Sequence, residues 1–371
     1  MIKNKLNTNW FGKNRIKPFL IILLIVSLLI FSLTKIVKPR KKQNIVFNQG
    51  IERFIRFREH PPLLHKTIYP SEKYMALTDS LVGREYLLRV DDQGFIMPAK
   101  KHHRPDLTLV FLGGSSTECL LMAEENRFPY LAGTILEKET GKKINAYNGG
   151  VGGNNSLHSL DILLNKVIPL KPDIIVMSHN INDLFIILAY DDTYWNNNPY
   201  RSPIIVKKEE ESYLAKRLKK VFSQIFKKEP EMDEFQHIRG KKLTINHEKL
   251  TSEFLANLQL FIDICKTKKI TPVLMTQSNR FKPDPDEFTQ RYMKTMETDY
   301  GIGYEEFKFS YDLVNDIIRE AAKRNQILLI DLAKEVPQER TYLYDILHYN
   351  DEGSKLAAKI ISEKLKTIIK H

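Results

Sequence analysis

Five short apolar runs, each followed by a stretch of helical periodicity, constrain this chain more than any other feature. They read as strands at Leu107–Leu112, Lys143–Tyr147, Ile174–Ser178, Pro272–Thr276 and Ile327–Asp331. Helices are expected over about 116–122, 126–140, 156–168, 248–268, 311–325 and 352–369. Strands joined through helices must run parallel, because only a long crossover returns the chain to the same end of the sheet. The expectation is therefore one α/β domain over residues 105–371, with a five-stranded parallel sheet between two helical layers. Insertions at about 184–247 and 278–310 interrupt it. Loops of that length in a compact domain are usually lids or substrate walls. The first carries Leu214, Leu218, Val221, Phe222 and Ile225 at helical spacing, read as an amphipathic helix packed on the domain. The second carries the aromatic cluster Tyr300, Tyr304, Phe307 and Phe309.

The N-terminus is separate in character. Residues 1–17 are a basic tail, and Pro18 to Thr34 holds no charge. With Lys35 reaching toward the headgroups the apolar stretch extends to Val37, enough to cross a hydrocarbon core of about 30 Å. A run of lysine and arginine follows where a signal peptide would have a small-residue cleavage site, so residues 18–37 are expected to be an uncleaved transmembrane helix. Of the formal net charge of +12, ten positive charges with no acid lie in residues 1–42, leaving only +2 for the rest. The basic balance thus implies lipid headgroups as a partner and no nucleic acid. Residues 38–104 read as a linker or N-terminal extension. Cys119 and Cys265, the two cysteines of the chain, argue for no particular redox compartment.

Chemistry-bearing residues gather where the strand runs end. Gly113-Gly114-Ser115 follows the first strand and precedes a helix, so Ser115 would sit at a helix N-terminus, where a developing oxyanion is stabilised. The alternative is structural, since Ser115 with Glu118 fits the capping box S-x-x-E. The second strand runs into Asn148-Gly149-Gly150-Val151-Gly152-Gly153-Asn154-Asn155, whose glycines allow backbone N–H groups close to a ligand. The third ends at His179-Asn180-Ile181-Asn182-Asp183, where an asparagine amide can donate to an oxyanion or cap a helix. Asp345 and His348, three residues apart, share one face of a turn and supply a base with its orienting acid. Asp331 ends a strand and competes for the acid role, but has no nearby histidine. His158 and His179 show no metal-ligand spacing and read as surface or supporting residues, and His102-His103 as solvated.

The joint placement of these motifs resembles the SGNH, or GDSL, hydrolase family of serine esterases and acyltransferases, over roughly 105–183 and 325–370. The resemblance implies a flavodoxin-like fold, no cofactor and no metal. It implies Ser115 as nucleophile, His348 as base and Asp345 as orienting acid, with an oxyanion hole from the Ser115 backbone, Gly153 and Asn182. Two positions depart from the family pattern: Gly114 stands where aspartate is common, and Asn180 replaces the glycine of GxND, restricting the backbone beside Asn182. Asp91-Asp92-Gln93-Gly94-Phe95 resembles a short N-x-x-G-F element of anchored relatives.

The expected protein is a single-pass, membrane-anchored serine esterase of acylated carbohydrate or lipid, N-terminus cytoplasmic and catalytic domain periplasmic or extracellular. The rivals are an O-acyltransferase of envelope glycans, a lipase or lysophospholipase, and a non-catalytic glycan- or lipid-binding protein on the same fold.

Overall fold

The fold comes from a computed structural model, which describes residues 57–99, 102–189, 193–194 and 237–369, Leu24, and the backbone of 53–55 and 204–206. Strands β1 (Leu107–Gly113), β2 (Ile144–Gly150), β3 (Ile174–Ser178), β4 (Thr271–Met275) and β5 (Leu328–Ile330) form one parallel sheet in the order 2-1-3-4-5. This is the flavodoxin-like order, and its switch point lies between β1 and β3. All five strands lie where the apolar runs placed them, within a few residues at each end.

Alternation of side chains across a strand divides the core in two. Val110, Leu112, Ile175, Met177 and Leu274 point to one face, against α3 (Ser156–Ile162), α4 (Ile181–Ala189), α5 (His247–Thr267) and α7 (Tyr304–Asn325). Leu109, Phe111, Ile174, Val176, Val273 and Met275 point to the other, against α2 (Phe128–Thr140) and α9 (Asp351–Lys366). Strands covered on both faces have no polar side, which is why they read as continuous apolar runs.

Besides the four-residue helices Glu72–Met75 and α8 (Leu332–Glu335), two longer helices escape the sequence reading. Helix α4 is apolar nearly all round because it is buried on several sides, so it has no periodic stripe to reveal it. Helix α6 (Glu287–Tyr300) carries the cap that could have revealed it, Asp286 accepting from the Thr289 N–H at 2.8 Å. The aromatic cluster expected as a substrate wall is largely core instead. Tyr300 and Phe307 are buried and pack at ring distances of 5.8 and 6.1 Å on Phe185, and Phe281 meets Phe307 at 5.4 Å. Phe309 alone of the four is 57% exposed.

Residues 57–99, within the stretch that reads as a linker or N-terminal extension, pack on the domain as part of one compact unit, 52–371. Strand His65–Ile68 pairs antiparallel with Tyr86–Arg89. Asp91 Oδ1 accepts from the N–H groups of Gln93 and Phe95 at 3.0 and 2.8 Å, and Gly94 takes the left-handed φ of +83° that closes the turn. The turn delivers Phe95 into the core beside Tyr147, ring centroids 4.9 Å apart. Next to it the Ile96 N–H donates to Asn148 O at 3.0 Å, covering part of the sheet edge at β2. The buried Arg127 at the head of α2 joins the two parts, donating to Met97 O and Leu87 O at 2.6 and 2.7 Å.

The expected transmembrane helix at 18–37, Leu24 excepted, and the amphipathic helix near 214–225 lie outside the described residues. Among the described residues no helix is long and apolar enough to cross a membrane.

Candidate active site

The sheet register brings Gly113, Gly150 and Ser178 level at the C-terminal ends of β1, β2 and β3. From Gly113 the chain turns into the one-turn helix α1 (Ser115–Glu118), which lies so close to β2 that a Cβ on Gly150 would overlap the backbone at Thr117 and Glu118. The N-cap of α1 is Gly114, with no side-chain capping bond, so Ser115 is the first helical residue and does not cap. The capping-box alternative therefore fails: Ser115 Oγ lies 2.8 Å from His348 Nε2, and the Glu118 carboxylate meets His60 Nε2 at 2.7 Å.

The histidine is held by the loop before α9. Asp345 Oδ1 accepts from the N–H groups of Leu347 and His348 at 2.8 and 2.7 Å, while Oδ2 lies 2.6 Å from His348 Nδ1. One carboxylate thus shapes the turn and fixes the ring, as the three-residue spacing allowed. Burial of the ring works against its charged form, but the charge and hydrogen bond of Asp345, with Glu118 behind them, outweigh it and raise the His348 pKa above the ordinary histidine value. Tyr344 lies flat against the same ring, centroids 5.6 Å apart and planes at 10°.

On the opposite side Asn182, in the first turn of α4, donates from Nδ2 to Asn154 O at 2.8 Å. Gly153, just before Asn154, has φ +77°, a conformation suited to glycine. Arg58 grips this loop twice, donating to Gly152 O at 3.1 Å and accepting from Asn154 Nδ2 at 3.0 Å. Asn180 fits in place of glycine because its φ is not left-handed, and its amide donates to Tyr311 O at 3.0 Å. Asp183, fully buried, accepts from Ser156 N at 2.9 Å, Ser156 Oγ at 2.5 Å and Tyr194 OH at 2.7 Å, tying α3 to α4.

Other polar residues that the sequence singles out have structural partners. His158 and His179 are buried, which fits the supporting of the two positions the sequence allows and not the surface one. His158 completes a capping box with Asn155 at the start of α3. His179 Nε2 lies 2.7 Å from Ser159 Oγ, and its Nδ1 is 3.7 Å from Asp183 Oδ2. This second Ser, His and Asp series is sealed from solvent, and burial drives the His179 pKa down to about 3, so its ring stays neutral. Asp331 is pinned by Arg319 at 2.8 Å and Thr276 at 2.9 Å. His102 is not free in solvent but meets Glu137 at 2.6 Å.

A cavity of about 270 Å³ opens beside Ser115 and His348. Its walls are the turn after α1, Cys119 to Met122, together with Tyr344 and Tyr349 and, from the N-terminal segment, Ile68, Tyr69, Pro70 and Tyr74. Tyr349 reaches the pocket because it adjoins His348 in the chain. Tyr74 and the His60–Glu118 pair have no signal in the sequence, because no local pattern marks contacts made between distant parts of the chain.

The model of the GDSL-like lipase/acylhydrolase family matches residues 111–356, more than half of the chain. Among solved structures, a lipase/acylhydrolase from Enterococcus faecalis is 16% identical, with 71% of this chain and 97% of that one covered and a TM-score of 0.43. An acetylxylan esterase from Geobacillus stearothermophilus is 15% identical, with coverages of 70% and 94% and a TM-score of 0.42. LAE5, an α/β hydrolase from the metagenome of Lake Arreo, is 16% identical, with coverages of 71% and 97% and a TM-score of 0.42. Comparison with curated proteins returns no match.

Proposed function

Given that the chain belongs to the GDSL-like lipase/acylhydrolase family and is a serine hydrolase acting on esters, we propose that Ser115 is its nucleophile, His348 its general base and Asp345 the acid that orients the base. The observation that carries this reading is the unbroken series from Ser115 Oγ through His348 to Asp345, with links of 2.8 and 2.6 Å. Ser115 Oγ attacks the ester carbonyl carbon while its proton passes to His348 Nε2, and the carbonyl electron pair moves onto oxygen. Asp345, holding Nδ1–H, stabilises the imidazolium that results. As the tetrahedral intermediate collapses, His348 returns the proton to the departing alkoxide. Water then attacks the acyl carbon as His348 takes its proton, and collapse of this second tetrahedral intermediate releases the acid while His348 returns the proton to Ser115 Oγ.

The oxyanion is received by the N–H of Ser115 at the head of α1, by Gly153 and by Asn182. Asn182 suits the task because an amide nitrogen has two protons, and Asn154 O takes one of them. The glycine-permitted turn at Gly153 supports its part.

Replacing Ser115 by alanine tests the assignment. The variant should lose fluorophosphonate labelling and turnover of p-nitrophenyl acetate while melting within a few degrees of the parent, since Ser115 caps nothing. Labelling that persists in the variant would move the nucleophile elsewhere.

Attachment to a membrane is proposed from the sequence: the uncharged stretch from Pro18 to Thr34 is bounded by five positive charges on each side.

A further inference from the structure

We propose that the cavity beside Ser115 receives a hydrocarbon chain of the ester, of roughly six to eight carbons, and that the N-terminal segment around Ile68 and Tyr74 sets this preference. The inference rests on the assignment of Ser115 as nucleophile and adds the substrate class. The cavity is continuous with the reacting groups, because Ser115 and His348 are among its walls. The remaining lining is largely apolar or aromatic, including Ile68, Leu120, Leu121, Met122, Tyr74 and Tyr344. Its acid, Glu118, is 4% exposed and held by His60, so it is not disposed to bind a row of sugar hydroxyls. At about 270 Å³ the space equals about nine water volumes of roughly 30 Å³, and a methylene is of similar size, so a medium chain fits with some volume lost to shape.

Of the cavity's walls Tyr69 is 65% exposed, so an apolar ring face there meets solvent. The adjoining depression that shares Leu121 and Tyr344 is lined by Arg84, Asp351 and Glu352 as well as Val82, so the apolar lining ends with the cavity. The wall is also firmly placed. Ser71 caps the short helix Glu72–Met75 by accepting from the Tyr74 N–H at 3.2 Å, and Tyr74 OH meets Tyr344 OH at 3.4 Å. The segment that reads as a linker therefore supplies one side of the binding surface and touches the residue stacked on the catalytic histidine.

The test uses the full-length protein in two ester series: p-nitrophenyl esters from acetate to dodecanoate, and acetates of alcohols of increasing length. In one of the two, kcat/KM should rise about fourfold per methylene to a maximum at roughly six to eight carbons, the gain expected for burying each group. A rise in the first series assigns the cavity to the acyl chain, and a rise in the second to the alcohol. Leu121→Trp and Ile68→Trp each fill part of the cavity from its lining. Each should move the maximum to shorter chains and lower the ratio of long-chain to acetate kcat/KM by at least tenfold, with fluorophosphonate labelling reporting that the protein is folded. Flat dependence in both series, or an unmoved maximum in both labelled variants, overturns the proposal while leaving the nucleophile in place. Absence of labelling in the parent protein would instead remove the assignment of Ser115, and this inference with it.

Discussion

The amide nitrogen of Asn182 occupies the space that a side chain at residue 114 would need: a Cβ added to Gly114 would lie 2.5 Å from Asn182 Nδ2 and 3.1 Å from Asn154 O. The glycine that stands where the family often has aspartate is thus matched to the close approach of the proposed oxyanion donor.

Gly114→Ala should therefore act through Asn182. Displacing one oxyanion donor lowers kcat by about 10²–10³, and Asn182→Ala should cost the same. The double variant should be little worse than either single one, because both remove one contact. Steady-state kinetics on p-nitrophenyl acetate decides it, and a loss below threefold in Gly114→Ala would mean the donor tolerates the shift.

Activity and stability should respond to pH in opposite senses through His348. Its pKa is raised above the ordinary value near 6.5, and only the neutral ring can take the serine proton. The acid limb of kcat/KM should accordingly have its midpoint above pH 6.5. A raised folded-state pKa adds stability that is full below the unfolded value and is lost as pH rises through the folded one, so the turn-on of activity accompanies a small loss of stability. In Asp345→Asn the forces opposing burial are mostly gone, so the limb should move to lower pH while kcat falls by about 10⁴. A limb that stays in place would separate Asp345 from His348.

Asp183→Ala should damage stability, because it strands the Ser156 N–H and hydroxyl and the Tyr194 hydroxyl in the core. Buried donors without partners cost about 1–3 kcal/mol each, so allowing for relaxation a loss of about 2–4 kcal/mol is expected. That corresponds to a Tm lower by roughly 3–6 °C in a unit of this size, measurable by calorimetry, with fluorophosphonate labelling retained below the transition.

Removing residues 1–104, the boundary suggested by sequence, should leave an insoluble or unstable domain. It would uncover β2 and deprive the buried Arg127 guanidinium of Met97 O and Leu87 O. A chain beginning at Glu52 should stay soluble and keep its labelling, and equal solubility of the two would show that the N-terminal segment is dispensable.

With residues 1–17 retained in the cytoplasm, alkaline phosphatase fused after His371 should be active in a bacterial host, and a green fluorescent reporter exported by the general secretory route at the same point should be dark. The reverse pair would place the catalytic domain inside.

What the sequence determined is what short-range physics writes into it. Parallel strands buried on both faces must be continuously apolar, so the five β runs and the sheet class were legible. Asp345 and His348 lie three residues apart, and one turn brings such a pair together whatever surrounds it. The partner of His348 is 233 residues away, and only the closed sheet, with Gly113 and Gly150 level in register, could decide whether Ser115 meets the histidine or caps its helix. The same holds for the N-terminal segment, whose contacts through Arg58, Tyr74 and Ile96 are all with residues far along the chain. A Pro-containing stretch without periodicity reads as linker because nothing local reveals which distant carbonyls, rings and edges it will cover. Tyr300 and Phe307 were misjudged for the same reason, since an aromatic side chain suits a pocket and a core equally until the elements pack around it.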